Sequence, residues 1–345
     1  MTAQSKARRD AQYGLLTSIA DEAGVSLSTV SKVVHRRRDV GAATRTRVEE
    51  LLARHGYVRP WERDPAVPRQ IVAVFRDLFS AYTLEVARGI VDAAGDFGVD
   101  VVTGTTSRRS ISQWLEECVT LGAAGLIIVI SMLTEEDQRR IVERRLPVVL
   151  IDPLSAPSPD IPSVGVTNWN GARDAVQHLL QLGHTRIGMV AGRSHSMAGA
   201  ARLHGYRAAL AEAGIAYDPA IVRSTDFDFE DSLAASLQIL RSDAPPTALF
   251  AASDAQALGV LEAARQQGLS VPRDLAVMSF DDTLVASMAC PPLSAVRQPF
   301  DKLGHEATRV LMQLAEGRPP ASPRIELATE LVLRSSTSSP RAGAG

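Results

Sequence analysis

The chain has 345 residues, 45% of them hydrophobic and 22% charged, which is too long for one compact core and fits two or three soluble globular domains. Its net charge of −2 hides an asymmetry: residues 1–60 hold eleven Lys or Arg against six Asp or Glu, a net of +5, and the rest hold 26 against 33, a net of −7. A basic head on an acidic body points to a polyanion at one end only, and no apolar run reaches the roughly 18 residues of a membrane span.

The opening MTAQSKARRD lacks the apolar stretch of a secretion signal, so a cytoplasmic protein is expected. From Leu16 to Arg38, LTSIADEAGVSLSTVSKVVHRRR, an amphipathic pattern is broken once, at Gly24. Ile19, Ala20 and Ala23 form one inward stripe, with Asp21 and Glu22 outside. Val30, Val33 and Val34 form a second, opposite Ser28, Ser31, Lys32 and His35. Glycine at the break permits the left-handed backbone that ends a helix, and Ser26 can cap the next. Two short helices joined this way make a helix-turn-helix, whose exposed face is suited to a DNA major groove. A third helix is expected where Val48, Leu51, Leu52 and His55 recur at helical spacing, with His55 a structural, partly buried residue. Arg36, Arg37 and Arg38 read as a solvated loop, and Arg45, Arg47 and Arg54 are either phosphate contacts or solvated charges.

Beyond residue 70, apolar runs alternate with helical stretches. IVAVF, VDVVTG, AGLIIVI, PVVLID, RIGMVAG, TALFAAS and LAVMSFDD read as strands; GARDAVQHLLQLG, HGYRAALAEAG and AQALGVLEAARQQG are among the helices between them. That alternation implies two parallel sheets covered on both faces, hence two lobes. Ligands in such folds lie outside the carboxyl ends of the strands, where this sequence places Asp152, Asn168, Ser253, Asp254, Asp281 and Asp282. For Asp254 and Asp282 a capping role is the better reading. Cys118 and Cys290 stand in apolar surroundings without metal-ligand spacing and are expected to be buried, reduced thiols.

The stretches A-x-x-A-G-V-S-x-S-T-V-S-x-V-V (Ala20 to Val34) and TRTRVEELLARHGY resemble the headpiece of the LacI/GalR family of bacterial transcription regulators. RIGMVAG, RLHGYRAAL, DAQALGVLEAARQQGLSVPRDLAVMSFDD and PPLSAVRQPF resemble that family's effector domain, so the resemblance covers nearly the whole chain. It implies a small all-α helix-turn-helix headpiece (1–59), a linker (60–70) and an α/β two-lobed periplasmic-binding-protein-like (type I) domain (71–336). Three crossings between lobes would place 71–168 with 300–326 in lobe 1 and 169–299 with 327–336 in lobe 2. A disordered tail (337–345) would follow, as its polar composition also suggests.

By the same resemblance Leu27, Ser28 and Lys32 match residues that read base edges, and Ser26, Thr29 and Ser31 match phosphate contacts. Tyr82, Asp152, Arg202, Phe227, Asp281 and Gln298 match the effector pocket; carboxylates, a guanidinium and aromatic faces suit a small polyol. The linker RPWERDPAVPRQ departs from the pattern: Pro60, Pro65 and Pro68 disfavour a helix and the family's wedge leucine is absent, which favours a stiff spacer.

The reading is a DNA-binding repressor controlled by a sugar or short oligosaccharide, acting as a homodimer on operator DNA, with no cofactor, no metal and no enzymatic activity. A secreted solute-binding protein is disfavoured by the headpiece. A sugar-converting enzyme is disfavoured because no nucleophile elbow, phosphate-cradling loop or metal cluster is present.

Overall fold

The computed structural model describes residues 15–34, 40–55, 70–193 and 195–340. His35, Arg36 to Arg38, the linker residues 60–69 with Pro60, Trp61, Pro65, Val67 and Pro68, and residues 341–345 lie outside them.

The headpiece is built as its periodicity dictates. α1 is helical over 15–23, α2 runs Leu27–Val34 and α3 runs Ala42–Arg54. Gly24 sits at φ 69° between α1 and α2, and the Val25 amide bonds back to Ala20 O. Ser26 Oγ accepts the Thr29 amide at 3.2 Å, which caps α2. Ile19, Ala20, Ala23, Val30, Val33, Val34, Val48, Leu51 and Leu52 close one small core, with Val25 and Leu27 packed at its edge. Glu22 ties the ends of α1 and α3 together, accepting from His55 at 2.6 Å and from Arg54 at 3.2 Å.

The body has two six-stranded sheets. In chain order the first unit gives β1 (Gln70–Phe75), α4 (Ala81–Phe97), β2 (Asp100–Thr105), α5 (Ile111–Thr120), β3 (Leu126–Val129), α6 (Glu135–Glu143), β4 (Val148–Ile151) and β5 (Ser163–Val166). The second gives α7 (Asn168–Gln181), β6 (Ile187–Ala191), α8 (Met197–Glu212), β7 (Val222–Ser224), α9 (Phe229–Leu240), β8 (Ala248–Ala251), α10 (Asp254–Gln266), β9 (Ala276–Asp281), α11 (Leu284–Met288) and β10 (Ser294–Arg297). α12 (Phe300–Ala315) and β11 (Arg324–Leu327) then return to the first unit, and β12 (Glu330–Val332) to the second. The strand orders are β11-β5-β4-β3-β1-β2 and β12-β10-β9-β8-β6-β7, and every pairing is parallel except that of β12 with β10.

Alternate residues of each strand feed opposite cores, which is why the strands read as unbroken apolar runs. Ile71, Ala73 and Phe75 of β1 face α4 and α12, while Val72 and Val74 face the side of α5 and α6. The helices lie close: a Cβ on Gly89 of α4 would stand 2.7 Å from Phe300 O of α12.

Two expectations are corrected. Cys118 is buried, and burial pushes its thiol up to about 11, but Cys290 is exposed, because it lies on the surface loop between α11 and β10. Thr337 and Ser338, expected in a disordered tail, are docked. Ser294 Oγ meets Thr337 Oγ1 at 2.9 Å, and the carbonyl of Ser338 lies 2.8 Å from Nε2 of the buried His184. Polar composition signals disorder only where the polar groups have no fixed partners; here the second lobe supplies them.

Candidate functional site

The first candidate surface is the outer side of α2. Ser26 and Ser28 are exposed, while Leu27, Thr29, Ser31 and Lys32 are half-buried, and the three buried valines hold the helix by its other side. The hydroxyls of Ser26, Ser28 and Thr29 cluster, with Ser26 Oγ 2.8 Å from Ser28 Oγ and 2.9 Å from Thr29 Oγ1. Such a face offers several rotatable donors beside a cation, the groups that phosphate oxygens and base edges accept from. Leu27 differs from the rest: its side chain also packs on the headpiece core.

The second is a cleft of about 610 Å³ between the carboxyl ends of the two sheets. Lobe 1 brings Tyr82 from α4 and Asp152 from the end of β4; Tyr82 donates its hydroxyl proton to Asp152 Oδ2 at 2.5 Å. An edge-on contact with Phe300, 5.4 Å between centroids, braces the Tyr82 ring. Lobe 2 brings Arg202 from α8 and Asp281 from the end of β9. The Arg202 guanidinium donates to Asn168 Oδ1 at 2.8 Å, to Ala252 O at 2.5 Å and to Asp281 Oδ1 at 3.4 Å. It lies on the Phe280 ring, 3.7 Å from the centroid, with Phe227 on the cleft side at 5.8 Å. Five of the six expected pocket residues therefore line one cavity.

Gln298 does not line it. Only 2% exposed, it stands behind Asp281 and donates Nε2–H to Asp281 Oδ1 at 2.6 Å. The capping role expected for Asp254 and Asp282 is corrected: Ser253 caps α10, and Thr283 stands at the start of α11. Asp254, at the edge of the cleft, and Asp282 act as buried acceptors that brace the ends of the strands. Asp254 accepts from Ser279 Oγ and from the amide and hydroxyl of Thr283, and Asp282 is paired with Arg297 at 2.7 Å and Arg334 at 2.6 Å.

Burial dominates the electrostatics. It raises the Asp281 carboxyl to about 7 against the opposing pull of Arg202, and it raises Asp152 as well, although the Tyr82 hydroxyl favours its ionised form. Tyr82 is itself held well above the ordinary phenol range by burial and by Asp152. The backbone is unusual at the same places: Ile130, Asp152, Asp281 and Asp282 have φ of 48°, 45°, 109° and 57° at the ends of β3, β4 and β9. Aspartate tolerates the left-handed region, but 109° lies beyond it, and strain of this kind gathers at ligand sites.

Several lining residues carry no mark in the sequence pattern: Arg76, Asp77 and Phe79 after β1, Arg193 after β6, Asp226 after β7 and Phe229 at the start of α9. Each follows a strand's carboxyl end, but beyond the polar residue at which the apolar run stops, where no local pattern marks it. Arg76 pairs with Asp77, and Arg193 pairs closely with Asp226.

Comparison with known proteins matches both parts. The profile of bacterial regulatory proteins of the lacI family fits residues 16–60, and that of a periplasmic binding protein-like domain fits residues 176–337. The HTH-type transcriptional repressor CytR of Escherichia coli (strain K12) is 33% identical, over 96% of this chain and 98% of its own length. The HTH-type transcriptional regulator CelR of Thermobifida fusca is 31% identical, over 93% and 97%. Among solved structures, a transcriptional regulator CelR–cellobiose complex aligns with a TM-score of 0.69 at 31% identity, covering 93% of this chain and 99% of that one. A lac repressor dimer bound to operator and the anti-inducer ONPF aligns with a TM-score of 0.69 at 28% identity, covering 94% and 98%. Among the described residues no helix is long and apolar enough to cross a membrane.

Proposed function

This chain belongs to the LacI family of bacterial regulatory proteins, and we propose that it is a cytoplasmic, homodimeric repressor whose operator binding is set by a neutral sugar or short oligosaccharide held between its lobes. The observation that carries the ligand reading is the convergence of Tyr82 and Asp152 from one lobe with Arg202 and Asp281 from the other on one cleft. Paired acceptors and a guanidinium suit vicinal hydroxyls, and the rings of Phe227 and Tyr82 suit the apolar faces of a sugar. Cellobiose in the similar CelR complex supports the same class of ligand.

Charge argues for a neutral ligand. Each lining arginine already has a carboxylate, Arg76 with Asp77, Arg193 with Asp226 and Arg202 with Asp281, while Asp152 and Asp228 add further negative charge. A sugar phosphate would enter without an unpaired arginine to meet it. The test is calorimetric titration of the full-length protein with neutral mono- and disaccharides and their phosphates, followed by operator binding with and without the ligand found. Tighter binding of a phosphate than of its parent sugar would overturn the reading.

Ligand binding should also depend on pH. Hydroxyls donating to Asp281 need the carboxylate, and in the free protein that group ionises only near 7. Affinity should therefore rise with pH, being about tenfold weaker at pH 6 than at pH 8, with proton release on binding below neutrality. Calorimetry in two buffers of different ionisation enthalpy measures both.

For the DNA face, Lys32→Ala should remove one base contact, costing about 1–3 kcal/mol on the operator and relaxing one position in each half-site. Competition between the operator and random duplex checks this; equal losses on both would remove Lys32 from base reading. A dimer is proposed because one short recognition helix reads too few bases to be selective. Sedimentation of the full chain should show a dimer at micromolar concentration.

A further inference from the structure

The chain passes between the two sheets three times: at Thr167 between β5 and α7, at Gln298 and Pro299 between β10 and α12, and at Ala328 and Thr329 between β11 and β12. Any change in the angle between the lobes must be absorbed there. Two of these passages are wired to the cleft. Gln298 holds Asp281 through its side chain and through its amide, which donates to Asp281 O at 3.0 Å. Asn168, the first residue beyond Thr167, holds Arg202.

Asn168 is the more informative of the two. As the first residue of a helix it would ordinarily face solvent or help cap, yet α7 has no side-chain cap at Thr167. The Asn168 amide group is instead spent in two directions. Its Oδ1 accepts from Arg202 Nε at 2.8 Å in lobe 2, and its Nδ2–H donates to Val166 O at 3.1 Å in β5 of lobe 1. The same passage is tied to the third: Thr329 N donates to Thr167 Oγ1 at 3.1 Å, and Thr167 N to Leu327 O at 2.9 Å.

We propose that Asn168 is a positioning residue that transmits the placement of the Arg202 guanidinium to the lobe crossings, coupling what occupies the cleft to the angle between the lobes. A planar guanidinium cannot turn toward a ligand without moving its Nε–H, and that hydrogen is the one on Asn168. Because the other end of the amide holds a strand of the opposite lobe, turning Arg202 loads the crossing, and the Thr167–Thr329 bond spreads the load to the next one. This deepens the proposed role of the cleft as an effector site, but its test uses neither effector nor operator, so it stands or falls apart from that reading.

The experiment is amide hydrogen exchange on the full-length protein, following peptides that span 163–171 and 327–332, in a cycle of Arg202→Gln and Asn168→Ala. Arg202→Gln is expected to speed exchange at both crossings by about tenfold in the wild-type background and to add nothing in the Asn168→Ala background. Unchanged crossings in Arg202→Gln, or equal increments in the two backgrounds, would overturn the proposal. If Arg202→Gln does not melt cooperatively, Asn168→Asp decides the matter. It keeps the acceptor for Arg202 and loses the donor to Val166 O, so the crossings should exchange as fast as in Asn168→Ala while the melting temperature stays near that of the wild type. Wild-type exchange in Asn168→Asp would confine Asn168 to holding Arg202 and end the coupling.

Discussion

Asp281→Asn should still fold and should lose the effector, with affinity lower by about 30- to 1000-fold, equivalent to roughly 2–4 kcal/mol for a charge-assisted bond in a closed cleft. Its cost in stability should be smaller than that of losing Arg202, because the hydrogen bonds remain although the buried guanidinium loses its carboxylate. Asparagine keeps an acceptor for Gln298 Nε2 and for Arg202, so the hydrogen bonds behind the cleft survive while the charge facing the ligand does not. The sign of the stability effect follows from the raised carboxyl. Its folded value, about 7, lies above that of an unfolded aspartate, so its contribution is greatest at low pH and is lost as pH rises toward and through 7. Asp281→Asn should remove that slope, leaving a flatter melting temperature between pH 5 and 8. Arg202→Ala should behave differently. At 4% exposure, and with Ala252 O, Asn168 and Asp281 all relying on it, its removal orphans a buried carbonyl and leaves a buried carboxyl without its counter-charge. A loss of about 3–5 kcal/mol in stability is expected beside the loss of ligand. The alternatives of ligand contact and structural ion pair are thus not exclusive for Arg202, and a melting scan before titration separates the two residues. An Asp281→Asn protein that melts normally and binds the wild-type ligand at full strength would remove Asp281 from the site.

The headpiece was legible because Ile19, Ala20, Val30 and Val33 repeat at a helical period around one glycine, and no tertiary contact has to override it. The body's strands were legible because both faces are buried, which leaves runs such as LIIV and AVMSFD with no polar alternation. Asp152 and Asp281 were legible from a topological rule, since each is the polar residue at which such a run stops. What periodicity could not supply is orientation beyond the strand. Arg76, Phe79, Arg193 and Asp226 lie in loops whose paths no local pattern fixes, and Gln298 is aimed at Asp281 rather than the cavity by the path of its crossing. Cys290 and the tail failed for a related reason. Cys290 lies on an exposed loop between α11 and β10, where apolar residues nearby in sequence do not bring burial, and Thr337 and Ser338 of the tail find partners only once the second lobe exists.

Gly205→Ala should damage both the fold and the ligand site, although it adds a single methyl group. Gly205 lies on α8, one turn beyond Arg202, where α8 meets α7. A Cβ there would press on the carbonyl oxygen of Trp169, well inside contact distance, and stand 3.0 Å from the Arg173 amide; both are backbone atoms of α7 that cannot swing aside. The helices must separate, and overpacking of this kind costs about 1–3 kcal/mol. For lobes of this size that lowers the melting temperature by roughly 2–4 °C per kcal/mol. Separation has a functional consequence because Trp169 follows Asn168 directly. Pushing α8 away from the start of α7 stretches the 2.8 Å bond between Arg202 and Asn168, so ligand affinity should fall together with stability. Gly95→Ala is the control. Gly95 is also helical, in α4, but it is exposed and its Cβ would meet nothing within 4 Å, so alanine there should stabilise by about 0.5–1 kcal/mol through lost chain entropy. Opposite shifts for one chemical change at two helical glycines would show that close approach of α7 and α8, rather than helix propensity, holds Arg202 in place. A Gly205→Ala protein as stable and as responsive as the wild type would show that the helices part without cost to the site.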